Sequence, residues 1–233
     1  MNTIIVEFFH DVICSFCFPM SYRMRQLKQS LPQVSIVHRS FALVSNVRDF
    51  DRMFGSREAA KAEILNHWRH ANETDDLHRF NIQGMKNADF PFPQSMPALR
   101  AAKAAGLLAG EDAYWDMFDA LQYALFAQNE NIENTDIIRQ CAQKARLDIP
   151  AWESIFQSAA SATAVAEDLK IAAQYNIHSA PTLIINGKQS ISGVKPLAVL
   201  QTAICSTIES FEKENTSLSG ASCTLQGDTW ECD

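Results

Sequence analysis

Two cysteines, Cys14 and Cys17, stand in the stretch Phe8-Phe9-His10-Asp11-Val12-Ile13-Cys14-Ser15-Phe16-Cys17. A CxxC spacing holds two sulfurs within bonding reach. Placed at a helix start, it aims unpaired backbone amides at the first sulfur and favours thiolate over thiol. That is the chemistry of thiol–disulfide exchange: Cys14 attacks a substrate disulfide as the exposed nucleophile, and Cys17, the more buried thiol, resolves the mixed disulfide. A zinc half-site is the competing reading of a CxxC, but zinc needs two further ligands. The other cysteine pair at short spacing, Cys223 and Cys232, has a different explanation given below, so no metal is expected.

The elements that must position these thiols follow from hydrophobic patterning. Ile4-Ile5-Val6-Glu7-Phe8-Phe9 is nearly continuous and β-favouring, as a central strand covered on both faces should be. After Cys17, Met20, Met24, Leu27 and Leu31 recur at helical spacing, with Pro19 expected to bend that helix. Val34, Ile36 and Val37, running on to Phe41, complete a βαβ unit. From about Ser56 to Asn176 the chain shows helix signals and almost no strand signals. Predicted helices are Ser56–His70, one opening at Ser95 and Pro97, Glu111–Gln128, Thr135–Ala145, Pro150–Ser158 and Ala162–Tyr175. Strand character returns in Thr182–Ile185, followed by Asn186-Gly187, a strong hairpin signal, and Lys188–Ser192. Lys195-Pro196 starts a last helix.

The order βαβ, helical insertion, αββα predicts an α/β protein with a thioredoxin-like fold and a large all-helical insertion. Residues 1–45 and 162–214 form the thioredoxin-like domain, 46–161 the insertion, and 215–233 a C-terminal tail. Two landmarks coincide with this order: Cys14-Ser15-Phe16-Cys17 after the first strand, and Ser179-Ala180-Pro181-Thr182 opening the hairpin. On these motifs the chain resembles the DsbA-like branch of the thioredoxin superfamily. With Asp11 and Ile184-Ile185-Asn186-Gly187-Lys188, it resembles the FrnE-like cytoplasmic subfamily in particular. The resemblance implies that Pro181 is cis and faces the CxxC, and that Ala180 offers its backbone to an extended substrate segment, with Phe16 beside it. It also implies that the insertion roofs the active site, so that Phe16, Phe18, Phe90, Phe92 and Met96 are read either as an apolar rim or as plain core. Ser15-Phe16 departs from the Pro-His and Pro-Trp dipeptides found in that branch.

Kappa-type glutathione transferases and 2-hydroxychromene-2-carboxylate isomerases share the inserted architecture but use a Ser in the nucleophile position to bind or activate glutathione. They supply the alternative function, against which the presence of both Cys14 and Cys17 argues.

His10 and Asp11 flank the site as modulators. His10 either helps stabilise the thiolate or is a strand-end histidine with a satisfied hydrogen bond. Asp11 either takes up the proton of a buried Cys17 or caps the helix entrance. Cys141 and Cys205 fall on predicted amphipathic helices and are read as buried small apolar residues. His67 and His70 are read as surface residues.

The tail carries a purely geometric inference. Gly227-Asp228 is a candidate two-residue turn with Gly first, which would pair Gln226 with Thr229, Leu225 with Trp230 and Cys223 with Cys232; the alternative is a disordered polar tail with two free thiols. The last pair is non-hydrogen-bonded, with Cα atoms about 4.5 Å apart, within disulfide reach. A second disulfide, Cys223–Cys232, is therefore expected.

The 233 residues carry a formal net charge of −7 without a Lys/Arg-rich cluster, which speaks against a nucleic-acid partner. No apolar run is long enough to span a membrane, and Met1 leads almost directly into the first strand rather than through a secretory signal. A cytoplasmic location is expected, where a CxxC is more often redox-active than structural. The expected partners are disulfide-containing proteins or peptides and a thiol that resets the pair, with glutathione as a redox partner rather than a bound cofactor.

Overall fold

The computed structural model describes residues 3–218, 223–226 and 229–232, with side-chain surroundings up to residue 207. It contains two compact units, Met1–Lys195 and Pro196–Asp233. The first is built on a mixed four-stranded sheet of order β2-β1-β3-β4. β1 (Ile4–His10) lies inside, parallel to β2 (Val34–Ser40) and antiparallel to β3 (Thr182–Ile185), which pairs with the edge strand β4 (Gln189–Ser192). Asn186 and Gly187, with φ of +47° and +68°, make the β3–β4 turn, and the Asn186 side chain accepts the Ile5 amide at 2.8 Å.

α1 (Cys17–Ser30) crosses from β1 to β2 and buries Met20, Met24 and Leu27. Pro19 falls in its first turn, where a backbone amide has no intrahelical partner. The reason for expecting Pro19 to bend the helix is thereby removed.

Eight helices follow before β3: α2 (Val47–Phe54), α3 (Arg57–Thr74), α4 (Ile82–Asn87), α5 (Ser95–Ala109), α6 (Glu111–Phe126), α7 (Thr135–Lys144), α8 (Ile149–Gln157) and α9 (Ala159–Gln174). Ser56 caps α3, its hydroxyl accepting the Ala59 amide at 3.0 Å. Ala98, Ala101, Ala102, Ala104 and Ala105 of α5 are all buried, small side chains that let neighbouring helices approach closely. Two helices lie outside the sequence expectation. α4 is too short to show a period, and α2 is rich in charge. The signal for α2 was nonetheless present, because Asn46 and Asp49 form a reciprocal capping box.

Alternation along β1 divides the core. Phe9 faces α9 in a cluster with Ala172, Ile177 and Ile184. Phe8 and His10 face the other way, toward His38, with Tyr114 and Phe118 of α6 also against His10. A buried carboxylate, Asp168 of α9, ties the layers together: it accepts the Ser40 amide at 2.7 Å and pairs with Lys103 of α5 at 2.5 Å and Arg39 of β2 at 3.3 Å.

The second unit contains α10 (Leu197–Leu218) and a hairpin of β5 (Cys223–Gln226) and β6 (Thr229–Cys232). Cys205 on α10 is exposed, not buried as expected. It sits one residue past Ile204, about 100° around the helix from the apolar stripe. In the hairpin Cys223 lies opposite Cys232, Leu225 opposite Trp230 and Gln226 opposite Thr229, the pairing read from the sequence. Gly227, Asp228 and the sulfur atoms of Cys223 and Cys232, on which the turn and disulfide expectations fall, lie outside the described residues. Peptide mapping of non-reduced, alkylated protein is expected to recover Cys223 and Cys232 as one linked pair; two alkylated thiols would remove the disulfide.

The Phe8–His10 face yields a second prediction. His10 and His38 are completely buried, with His10 Nε2 3.1 Å from His38 Nδ1. Burial pushes both imidazoles well below the ordinary 6.5, and the neighbouring cationic Lys103 adds to this for both rings. The unfolded chain therefore binds protons first as pH falls below 6.5, and each unit of depression costs about 1.4 kcal/mol of stability at acid pH. Denaturant titrations should show stability intact above 6.5 and declining below it. The double variant His10→Phe with His38→Phe should flatten that decline, and an unchanged slope would clear the pair of responsibility.

Candidate active site

Between the end of β1 and the start of α1 the chain folds as consecutive tight turns. The Cys14 amide donates to the Asp11 carbonyl (3.2 Å), that of Cys17 to the Cys14 carbonyl (3.0 Å), and that of Phe18 to the Ser15 carbonyl (3.3 Å). No side chain caps α1 and its first turn carries no acidic residue, so the positive end of the helix dipole stands uncompensated beside the Cys14 turn. Both cysteines are free thiols, Cys17 fully buried and Cys14 4% exposed.

The second landmark meets the first. The Ala180–Pro181 peptide is cis, and the Cys14 thiol donates to the Ala180 carbonyl across 3.4 Å. Pro181 is buried at the entry to β3, its own carbonyl accepting the Gly193 amide at 2.8 Å. Residues separated by most of the chain are thus brought to one point.

Around Cys14 opens a mostly apolar groove of about 230 Å3. Ile13, Cys14, Ser15 and Phe16 form one wall with Ala180, and Phe92 contributes from the loop before α5. Leu43 and Val44, Met53 and Phe54 of α2, and Ile64 and His67 of α3 complete the lining. Phe16 and Phe92 line the groove, whereas Phe18 packs against Phe80 and Phe126 with the Arg79 guanidinium over its ring. Met53, Phe54 and Ile64 escaped the sequence reading because an apolar groove wall has the same composition as a core stripe. His67, read as a surface residue, is exposed and sits at the groove.

Asp11 is completely buried at the start of the CxxC turn, its carbonyl accepting the Cys14 amide. Its carboxylate accepts the Leu43 amide at 2.7 Å, the Ser95 hydroxyl at 2.6 Å and the Ile13 amide at 3.3 Å. Burial raises its pKa to about 6 despite these donors, which pull the other way, Ser95 first. The Cys17 thiol is pushed well above its ordinary 9.0, first by burial and then by its hydrogen bond to Cys14, while a backbone hydrogen bond from Asp11 opposes the shift.

His10, by contrast, is turned away. Its ring pairs with His38 beneath α6, and its described contacts are aromatic. Of the two expected modulators, the structure brings Asp11 alone to the thiols; the strand's alternation sends His10 into the α6 face of the core.

One residue that the sequence reading passed over as part of a helix stripe reaches the loop from above. Gln122 of α6 is fully buried, and its amide nitrogen faces the carbonyls of Asp11 (3.4 Å), Val12 (3.3 Å) and Cys14 (3.4 Å). A polar residue inside an apolar helical stripe was the available signal. Among the described residues no group of three or more His, Cys, Asp or Glu side chains could hold a metal ion, and no helix is long and apolar enough to cross a membrane.

A family model described as a DSBA-like thioredoxin domain matches residues 5–205. The ClpXP adapter protein SpxH of Shouchella clausii is 25% identical over 189 residues, covering 80% of this chain and 59% of that protein. The chain thus spans about six tenths of that relative's length. Among solved structures, a Nitrosomonas europaea protein provisionally described as a protein disulfide isomerase superposes with TM-score 0.73 at 18% identity, covering 90% of this chain and 99% of the other. The cytosolic disulfide reductase DsbM of Pseudomonas aeruginosa gives 0.66 at 14% identity, covering 86% and 98%. A 2-hydroxychromene-2-carboxylate isomerase gives 0.63 at 16% identity, covering 93% and 100%. At these identities the superpositions establish the shared fold.

Gln122→Leu tests how much the CxxC turn depends on α6. The substitution keeps the volume and withdraws the donor from three buried carbonyls, which should cost about 1–3 kcal/mol. Denaturant unfolding is expected to show that loss, together with faster alkylation of Cys14 as its turn loosens. Wild-type stability in the variant would show that the three carbonyls do not depend on the amide.

Proposed function

The chain belongs to the DSBA-like thioredoxin-domain family, and we propose that within it the protein is a dithiol–disulfide oxidoreductase working through Cys14 and Cys17. The observation carrying this reading is the placement of Cys14 Sγ 3.4 Å from the Ala180 carbonyl, both residues lining an open apolar groove. An extended substrate segment laid across Ala180-Pro181 would hydrogen-bond to the Ala180 backbone like an added strand and present its disulfide to Cys14.

The cycle has two exchanges. The Cys14 thiolate attacks one substrate sulfur; the substrate S–S bond breaks, a mixed disulfide forms and the first substrate thiolate leaves. Cys17 then loses its proton and attacks Cys14 Sγ, closing the intramolecular disulfide and releasing the second substrate thiolate. The substrate gains two electrons and two protons, and the dithiol loses them. A second thiol, of the glutathione or thioredoxin class, must reverse the sequence to reset the enzyme, or the same steps run backwards to oxidise a dithiol substrate. A DsbM structure bears the name of its complex with GSH, which supports glutathione as the class of partner for this fold. The name of that cytosolic reductase likewise supports a cytosolic setting.

A second reading has a specific observation behind it. The relative named as a ClpXP adapter protein, together with the apolar groove, favours a protein-binding role for the same surface. The two readings separate on the cysteines: client binding that persists in the double Cys14→Ser, Cys17→Ser protein belongs to an adapter.

Substitution of the two thiols tests the exchange reading directly. Cys14→Ser should lose disulfide reduction by two orders of magnitude or more, whereas Cys17→Ser should retain the first exchange and accumulate a mixed disulfide visible by mass spectrometry. Glutathione-conjugating activity that survives Cys17→Ser would instead place the protein with the transferases and isomerases that share this architecture.

A further inference from the structure

We propose that Ser95, a residue of the helical insertion, is a positioning residue that keeps the Asp11 carboxyl available to receive the Cys17 proton during the resolving exchange. The inference rests on the oxidoreductase reading above and adds to it a component from the helical segment.

The geometry begins with a hydroxyl that has a single proton and two committed neighbours. The Val44 amide donates to Ser95 Oγ at 3.0 Å, so the Ser95 hydroxyl proton is directed at its other neighbour, Asp11 Oδ2, 2.6 Å away. The Ser95 backbone is fixed in turn, its amide donating to the Val44 carbonyl at 2.9 Å. Ser95 is fully buried at the first residue of α5, a helix capped by no side chain, so its hydroxyl is not spent on a capping bond within its own helix. A serine opening a helix usually caps it. Here the hydroxyl is turned toward the strand that carries the CxxC.

The groups that face the Asp11 carboxyl come from several elements. They are the Val12 and Ile13 amides of its own turn, the Leu43 amide after β2, and the Ser95 hydroxyl of α5. Cys17 of α1 and Tyr114 of α6 are the titratable groups that feel its charge. Hydrogen bonds to a carboxylate favour its charged form, and burial opposes it. Ser95 is the largest of the hydrogen-bond contributions holding the balance at about 6, so that the carboxyl is ionised near neutral pH. Without that donor the buried acid keeps its proton at higher pH and has no vacancy for another.

The step it serves is the second exchange. The Cys17 thiol, held protonated by burial, transfers its proton to the Asp11 carboxylate as Cys17 Sγ bonds to Cys14 Sγ. The mixed disulfide breaks, the substrate sulfur leaves as thiolate, and the proton on Asp11 passes to it or to solvent. The first exchange, carried out by Cys14, needs no such transfer.

The test uses 5,5′-dithiobis(2-nitrobenzoate), whose two exchanges each release one coloured thiolate. The first burst reports attack by Cys14 and the second reports resolution by Cys17. In the wild-type protein the second phase should accelerate with pH through an inflection near 6, where the Asp11 carboxyl ionises. In Ser95→Ala that inflection should move up by about one unit, slowing resolution about twofold at pH 7 but about fivefold at pH 6 and up to about tenfold below it, while the first phase stays within about twofold throughout. Ser95→Thr, which keeps a hydroxyl, should restore it. In an Asp11→Asn background the inflection should be absent and Ser95→Ala without further effect, a comparison that also serves if the single Ala variant fails to fold. A normal first phase with an unmoved inflection in Ser95→Ala, or an inflection surviving Asp11→Asn, overturns the inference and leaves the oxidoreductase reading standing. Absence of the first phase from the wild-type protein overturns both.

Discussion

The buried carboxylate of Asp11 is the constraint around which the site is arranged. A carboxylate out of water must be surrounded by donors, and here they are drawn from three separate segments: the turn after β1, the loop after β2 and the first residue of α5. Satisfying one charge therefore fixes the mutual position of the CxxC turn, the groove wall at Leu43 and Val44, and the start of the central helix of the insertion. Displacing any of the three would leave the carboxylate short of a donor in an apolar setting, a cost of about 1–3 kcal/mol or more.

The helical segment is consequently more than a cover on a thioredoxin-like sheet. α6 sends Gln122 onto three carbonyls of the CxxC turn, and α5 sends Ser95 onto the acid beneath it. α2 and α3 supply Met53, Phe54, Ile64 and His67 to the groove, leaving the segments next to β1 and β3 to supply Cys14 and Ala180. The division of labour is clean: chemistry arises at the ends of β1 and β3, and the helices decide how that chemistry is held and what can approach it.

Much of this was legible in the sequence, for identifiable reasons. β1, β2 and the β3–β4 hairpin announce themselves because apolar β-branched runs and Asn186-Gly187 have few alternative structures. The CxxC and Ala180-Pro181 are legible as motifs, and the parallel β1–β2 and antiparallel β1–β3 pairings bring the two together. What could not be read is pairwise and long-range. His10 and Asp11 are adjacent in sequence and were both read as modulators of the thiols, yet strand alternation turns His10 toward His38 and leaves Asp11 in the CxxC turn. Ser95 reads as a helix-opening residue in any local window; that its hydroxyl serves a carboxylate far back in the chain depends on Val44 occupying its other side. Gln122 is a single polar position in an apolar stripe, and only the packed structure shows which carbonyls it meets.

In the proposed exchange, the burial difference between the two sulfurs sets the order of events. A substrate entering the groove meets Cys14, which is slightly exposed and lines it; Cys17 has no exposed surface and does not. Attack from outside must therefore begin at Cys14. Cys17 acts from within, and only against the bond that Cys14 has just made, because a buried thiol whose proton is held by desolvation is a poor nucleophile toward anything not already in contact. An inaccessible thiol also cannot be captured by a second substrate, which makes intramolecular resolution the open route out of the mixed disulfide. In the proposed cycle its rate then depends on where the Cys17 proton goes, and Asp11, whose charge the Cys17 thiol feels, is the group proposed to take it. In the proposed cycle, access is thus governed by the groove that Cys14 lines and proton transfer by a carboxylate held in the buried interior.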